Sequence, residues 1–301
     1  MSNINEVLLY RAFSAADQYR NDTQTYTTFM SSEKGVTWDL VSSYLGMDGK
    51  PYDYLGLAQT TKGNAFLSKI GDDCDPRLKS TIWMPGDLMA ASNGKIFTKP
   101  TIDMGTNYLC TTGFQVKKSA NPYSPAAGVP WDTYPGETGN IILRYGEVLV
   151  NYAEAKCELD NTVAYTQLNL LRERIGMPNF IVNPKSLDHN LVDYGYPISD
   201  ELYEIRRERR VELALEGLRE DDFMRWASYS LFKGKRPKGY PFNAEEFPNW
   251  MPRGLDENGL IDYFVNELPI GYQFREGRDY LTSIPQDELV LNPNLRQNPG
   301  W

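Results

Sequence analysis

Residues 141–178 read IILRYGEVLVNYAEAKCELDNTVAYTQLNLLRERIGMP, and this stretch decides the fold. Ile141, Tyr145, Val148, Leu149 and Tyr152 recur at spacings of three and four, an apolar stripe that predicts an amphipathic helix over 141–159. Leu168, Leu171 and Ile175 repeat the pattern over 164–174, and Gly176-Met177-Pro178 stops it. The pair predicts a helical hairpin of about 35 residues, the size of a tetratricopeptide unit. A stripe of this kind cannot bury itself, so neighbouring helices are required. A third helix opens at Ser199, an N-cap residue whose followers Asp200 and Glu201 suit the positive helix end. It runs to about Trp226, with Leu202, Ile205, Leu213 and Leu218 as core-facing candidates.

On either side the pattern changes. Residues 1–140 read as short irregular elements between turns, with a strand at 5–11 leading into a loop and turn chemistry at 48–51 and 71–76. Pro122, Pro125, Gly128, Pro130, Pro135, Gly136 and Gly139 leave no room for a regular element between 119 and 139. From 233 the chain returns to loops, and the tail over 280–301 keeps enough apolar residues to predict an ordered segment packed on the body. The expected division is 1–140 as a loop-rich lobe, 141–232 as the helical part and 233–301 as a loop-rich carboxy-terminal segment.

Composition narrows the function. The 301 residues include 40 acidic and 31 basic side chains, a net charge of −9 that repels phosphate backbones and anionic membranes. No run of roughly 18 apolar residues could span a bilayer as a helix, and the first residues lack a basic and then apolar leader pattern. Cys74, Cys110 and Cys157 are widely spaced and form no metal or redox motif. A Cys74–Cys110 disulfide is open on spacing alone, and Cys157 reads as a buried thiol on a helix. The one histidine, His189, sits in a turn-rich stretch and predicts an exposed loop. Its isolation argues against many general-base and metal chemistries. No cofactor fingerprint or nucleophile elbow is present.

Glu208, Glu212 and Glu216 fall at i, i+4 and i+8, three carboxylates on one helical face. They read as an ion-pair network neutralised by the intervening arginines rather than as a metal or acid–base cluster. Arg219, Asp222 and Arg225 read the same way, and Gly217 predicts close approach of another backbone. Aromatic residues make up 13% of the chain, and many lie beside turn residues: Trp38, Tyr44, Tyr52, Tyr54, Trp83, Tyr108, Tyr123, Trp131, Tyr134, Tyr240 and Trp250. Rings in loops either plug a lobe poor in regular structure or stack on the flat C–H faces of sugars. Trp38, Tyr52, Tyr54 and Trp83 are the candidate ligand-binding residues, chosen by position in the irregular lobe. No catalytic residue and no metal ligand stands out.

Several segments resemble the SusD/RagB family. Residues 142–155, ILRYGEVLVNYAEA, are similar to its LRYAEVLLxYAEA helix, and 168–178, LNLLRERIGMP, to the INxVRxRAGxP that follows. ERRVELALEGLR over 208–219 and DFMRW over 222–226 resemble ERRxELAxEGxR and DLxRW. The end, IPQDE at 284–288 and NPNLRQNPGW at 292–301, is similar to IPxxEIxxNPNLxQNPGY, with weaker echoes in DPRL at 75–78 and TGF at 112–114.

The resemblance implies a mainly α protein, tetratricopeptide-like hairpins carrying a loop-rich lobe with a few short strands, one SusD-like domain overall. It implies binding of oligosaccharide or polysaccharide without catalysis or cofactor, at the outer-membrane surface on the outer face of the cell. It also implies delivery to a SusC-type TonB-dependent transporter. The similarity covers the later part of such proteins, so a signal peptide, a lipidated cysteine and most amino-terminal helix repeats are expected outside this sequence, with an apolar face exposed where those repeats stack. Gly146, where the family carries alanine, is expected to weaken its helix by about 1 kcal/mol. A glycoside hydrolase and a helical-repeat interaction scaffold are the alternatives. Stacking by the candidate rings predicts that Trp83→Ala or Tyr54→Ala weakens glycan binding while the melting temperature holds; an equal loss of stability marks them as core.

Overall fold

The computed structural model describes residues 4–130, 133–134 and 136–301, so Trp131 and Pro135 lie outside the described residues. The chain opens with strand β1 (Val7–Arg11) and continues through helices α1 (Thr23–Thr28), α2 (Trp38–Val41), α3 (Tyr54–Thr60), α4 (Gly63–Asp73) and α5 (Arg77–Thr81). A short antiparallel ribbon follows, β2 (Leu88–Ala90) with β3 (Lys95–Ile96). Strand β4 (Asn140–Arg144) then leads into α6 (Tyr145–Asp160), α7 (Tyr165–Glu173), α8 (Asp200–Glu212) and α9 (Arg219–Arg225), with α10 (Gln286–Leu291) near the end. The mainly helical architecture expected from the hairpin is what forms, and α6 packs against both α7 and α8.

Three local readings change. Residues 140–144 are strand rather than helix. Their apolar run suits a pleated pairing, and β1 supplies the partner, with Tyr10 opposite Ile141 and Arg11 opposite Asn140. The stripe therefore starts out of phase. Gly146, Leu149, Val150, Ala153, Glu154 and Cys157 are the residues α6 buries, whereas Tyr145, Val148 and Tyr152 face solvent. With Leu8, Leu9 and Ile142 of the adjoining ribbon, also exposed, they leave much apolar surface uncovered. The third helix is broken in two. Ser199 caps α8 by accepting from the Leu202 N–H at 3.2 Å, but Leu215 (φ 61°) and Gly217 (φ 84°) turn the chain between α8 and α9. A Cβ at 217 would meet nothing within 4 Å, so its left-handed backbone, not a close neighbour, calls for glycine. At Gly146 the reverse holds. A Cβ there would lie 2.3 Å from the Arg144 Nη1, inside an ion cluster.

That cluster is part of a network centred on α8. Arg77 Nη1 meets Glu208 at 2.7 Å and Glu212 at 2.9 Å; Arg172 meets Glu208 at 2.9 Å; Arg144 and Arg174 meet Glu212 at 2.6 and 2.7 Å. Glu216 takes Arg144 at 2.7 Å and Lys118 at 2.6 Å. The glutamates are thus neutralised as expected, yet by residues from α5, α7 and β4, not by intervening arginines. The buried arginines of α8 pair elsewhere: Arg206 with Glu158 on α6, Arg207 with Asp188, Arg209 with Asp222 on α9.

The lobe is loop-rich and carries five short helices, α1 to α5, between its turns. Its core gathers Trp38, Tyr44, Tyr54, Phe66, Trp83 and Phe114, joined by Tyr240, Phe247 and Ile261 from the carboxy-terminal segment. Trp83 is fully buried, stacks on Phe97 and donates from Nε1 to the Thr27 carbonyl at 2.7 Å. Tyr54 is fully buried and donates to the Tyr44 carbonyl at 2.9 Å. The tail packs less than expected. None of the residues 281–301 is buried, and Tyr280 ties the segment to the body by stacking on Tyr229 at 5.2 Å.

Two outcomes follow from this packing. Trp83→Ala empties a fully enclosed site and is expected to cost about 3–5 kcal/mol in a denaturant melt; a cost near zero would contradict core placement. At Glu212, burial would raise the pKa, but Arg77, Arg144 and Arg174 overcome it and hold the carboxyl at about 2. Glu208 and Glu216 are lowered by the same kind of neighbours, whereas burial raises Glu204 and opposes them. A carboxyl depressed in the fold stabilises fully above its unfolded pKa of about 4.3 and loses that contribution as pH falls through the folded value. The melting temperature is therefore expected to drop between about pH 4.3 and about pH 2. Glu212→Gln strands buried guanidiniums and should cost about 3–5 kcal/mol at pH 7. A melting temperature independent of pH over that acid range would contradict the network's role.

Candidate functional site

Trp38 opens α2, where its N–H donates to the Lys238 carbonyl at 2.8 Å. Its ring stacks on Phe66 at 5.8 Å and meets Tyr54 edge-on at 6.2 Å. Only 7% of Trp38 is exposed, and that part borders a cleft of about 340 Å³ between α2, the α8–α9 turn and two loops. The volume is at the small end for a ligand site.

Each wall has a local cause. The loop at 188–192 is pinned by Asp188, whose carboxylate accepts from the Tyr203 hydroxyl at 2.5 Å and from Arg207 at 2.6 Å, while the Val192 N–H donates to the Tyr203 oxygen at 3.0 Å. It presents His189 and Asn190 to the cleft. Across from it, the segment 231–237 is clipped to Tyr272 by paired backbone bonds, Gly234 N–H to the Tyr272 carbonyl at 2.8 Å and Tyr272 N–H to the Lys235 carbonyl at 2.9 Å. Phe232 meets Phe223 edge-on at 4.5 Å and Tyr272 at 6.1 Å, so three rings form a continuous aromatic wall. Tyr272 leaves 43% of its surface to solvent.

The charged lining is mostly cationic. Arg236 is held by Asp262 at 2.6 Å, but Arg210 and Arg219 face the cleft from either side of the α8–α9 turn. Among the described residues, Arg210 has no carboxylate within 4.0 Å and its guanidinium makes no hydrogen bond. Arg219 lies over the Phe223 ring at 4.5 Å, and its Nε and Nη1 are buried without a hydrogen-bond partner. The nearest carboxylate of Arg219, on Asp222, is 3.7 Å away and already serves Arg209 and Arg225. Burial lowers both arginines, Arg219 to about 10, where the charge of Arg210 adds to the effect. Asp39 is the only carboxylate on the described lining.

The sequence candidates divide around this cleft. Trp38 contributes its edge. Tyr54 is core, and the half-buried Tyr52 packs on it at 5.0 Å and donates to Asp73 at 2.7 Å, behind the 188–192 loop. Trp83 is enclosed elsewhere in the lobe, so neither it nor Tyr54 offers a ring face to a ligand. Of the other loop rings, Tyr44 and Tyr240 are core, and Tyr123 and Tyr134 are exposed away from the cleft lining. Sequence reasoning missed Phe223, Phe232, Tyr272, Arg210 and Arg219. A usable signal existed for Arg210, which has Arg206, Arg207, Leu213 and Ala214 at i±3 and i±4, and no carboxylate to pair with along its own helix.

Other chemistry is sparse. The cysteines are buried and free, so Cys74 and Cys110 are not bridged, and burial raises their thiols to about 12 and about 11. No cluster of three or more metal-ligating side chains occurs among the described residues, and no helix there is long and apolar enough to cross a membrane.

Comparison with known proteins gives one consistent answer. Residues 5–301 match the model of the SusD family. SusD-like protein P2 of Formosa agariphila is 31% identical over 168 residues, 54% of this chain and 26% of that protein. A SusD-like carbohydrate binding protein of Bacteroides fragilis superposes with a TM-score of 0.65 at 24% identity, over 97% of this chain and 54% of its own. Another SusD-like protein of that organism gives 0.68 at 22% identity, over 100% and 55%. The chain thus spans about half the length of these solved structures and about a quarter of the curated relative. Matched by the family model from residue 5 to its last residue, and sharing the fold of those structures, the chain belongs to the SusD family.

Proposed function

We propose that the chain binds glycan in the cleft beside Trp38, holds it without cleaving it, and serves a surface protein that passes nutrient to a SusC-type transporter at the outer membrane. The observation that carries this reading is the wall of Phe223, Phe232 and Tyr272 facing hydrogen-bonding side chains such as Asn190 and Arg210. Flat rings take the C–H faces of a sugar while guanidinium and amide groups take its hydroxyls. Binding without turnover is favoured because glycoside hydrolysis needs two carboxyl groups flanking the bond, and Asp39 stands alone on the described lining. The solved relative named as carbohydrate binding shares this fold. Delivery to a transporter is supported by family membership.

The test is calorimetry of the chain against a panel of soluble oligosaccharides, with reducing ends assayed in the same samples. Binding with no release of reducing ends is expected. Tyr272→Ala should weaken it by about 1–2 kcal/mol, roughly 5–30-fold, and shift the melting temperature little because the ring is exposed. Release of reducing ends, or binding unchanged by Tyr272→Ala and Phe232→Ala together, would contradict the reading.

A further inference from the structure

The chain is acidic overall, yet the charged groups on the cleft beside Trp38 are mostly cations, of which Arg236 is paired with Asp262. Along α8 the buried Arg206, Arg207 and Arg209 each reach a carboxylate, whereas the half-buried Arg210 reaches none within 4.0 Å. Arg219 shares the cleft with Arg210, whose charge disfavours its own, and two of its nitrogens are buried with no acceptor. Lys235 adds a third positive group on the same lining, and Asp39, the only acidic group there, stays beyond 4.0 Å of Arg210.

Packing does not require this. Buried guanidinium nitrogens without acceptors, such as Nε and Nη1 of Arg219, are costly, and the half-buried Arg210 puts a second positive charge on the same lining. Arginine presents a planar fork of donors that matches a carboxylate or sulfate in bidentate fashion, and the pairing strengthens where water is scarce. Phe223 lies under Arg219 at 4.5 Å, so that guanidinium is held against the aromatic wall. The aromatic wall lies next to it, so one ligand can stack a ring and present an acidic substituent.

Resting on the glycan-binding reading and going beyond it, we propose that Arg210 and Arg219 form an anion subsite that makes this cleft select acidic sugars, those bearing a uronate carboxylate or a sulfate ester, over neutral ones. Like-charge strain between the two arginines is relieved when the acidic group arrives. Removing one arginine therefore relieves the same strain in the free protein, and loss of selectivity should come without loss of stability.

Calorimetry of the full chain in about 50 mM salt, where charge pairing is weakly screened, distinguishes the outcomes. The probes are tetragalacturonate, a sulfated galactose tetrasaccharide and the neutral galactose tetrasaccharide. At least one acidic probe is expected to bind tenfold or more tighter than the neutral one, with the advantage shrinking as salt rises, and the acidic arms show whether carboxylate or sulfate is preferred. Arg210→Gln should erase the preference while the melting temperature stays level or rises. Arg219→Met, which keeps the alkyl stem over Phe223, should do the same and guards against misfolding of either variant. Equal binding of neutral and acidic probes, or a preference that survives both substitutions, overturns the subsite and leaves glycan binding standing. Failure of every probe, with no glycan of the wider panel bound either, overturns both.

Discussion

The structure depends on α8, a helix most of whose charged side chains are buried and are met by opposite charges, largely from other segments. Arg77 comes from the lobe, Arg144 from the strand before the hairpin, Arg172 and Arg174 at the end of its second helix, Asp188 from the following loop and Asp222 from α9. Burying charges is expensive, and the expense is offset only when geometry and hydrogen bonding are complete. Each arriving segment is therefore tied to one position on α8. Apolar contact is less selective: the small clusters around Leu149 and Ala153 would tolerate shifts that a guanidinium between two carboxylates would not.

The cleft is a consequence of that arrangement. Where α8 stops, the chain turns through Leu215 and Gly217 in left-handed conformations and restarts as α9, which carries Arg219 and Phe223 on one face. The turn presents Arg210, which the network leaves out, and Arg219, which it reaches only through Asp222 at 3.7 Å, to a space walled by loops that are themselves pinned, one by Asp188 and the other by Tyr272. A site held this way needs little rearrangement to receive a ligand, which favours affinity. Its unpaired charge is tolerated because the rest of the helix is so fully matched.

Much of this was legible in the sequence, for reasons that differ by residue. Helical spacing announced α6, α7 and the start of α8, and Ser199 marked a cap that forms. The same periodicity gave the wrong face for α6, because Ile141 belongs to a strand whose partner, β1, lies about 130 residues earlier, and local pattern carries no information about such pairing. The three glutamates were readable as ion-paired, but i, i+4 spacing reveals only neighbours on one helix, and Arg77 reaches Glu208 from 131 residues away. The loop aromatics failed more completely. In a lobe of short helices a ring beside a proline is as apt to be the core as the surface, and Trp83 and Tyr54 are core. Conversely, Phe223 sat within a family motif that reads as packing, yet it lines the cleft.

The most direct measurement of the central claim is a crystal structure of the chain with a bound acidic oligosaccharide. The account predicts a sugar ring against Phe232 and Tyr272, with its charged substituent within hydrogen-bonding distance of the Arg210 and Arg219 guanidiniums and the loops at 188–192 and 231–237 nearly unmoved. An oligosaccharide lying elsewhere, for instance across the exposed rings of Tyr123 and Tyr134, with the two arginines still unpaired, would contradict it.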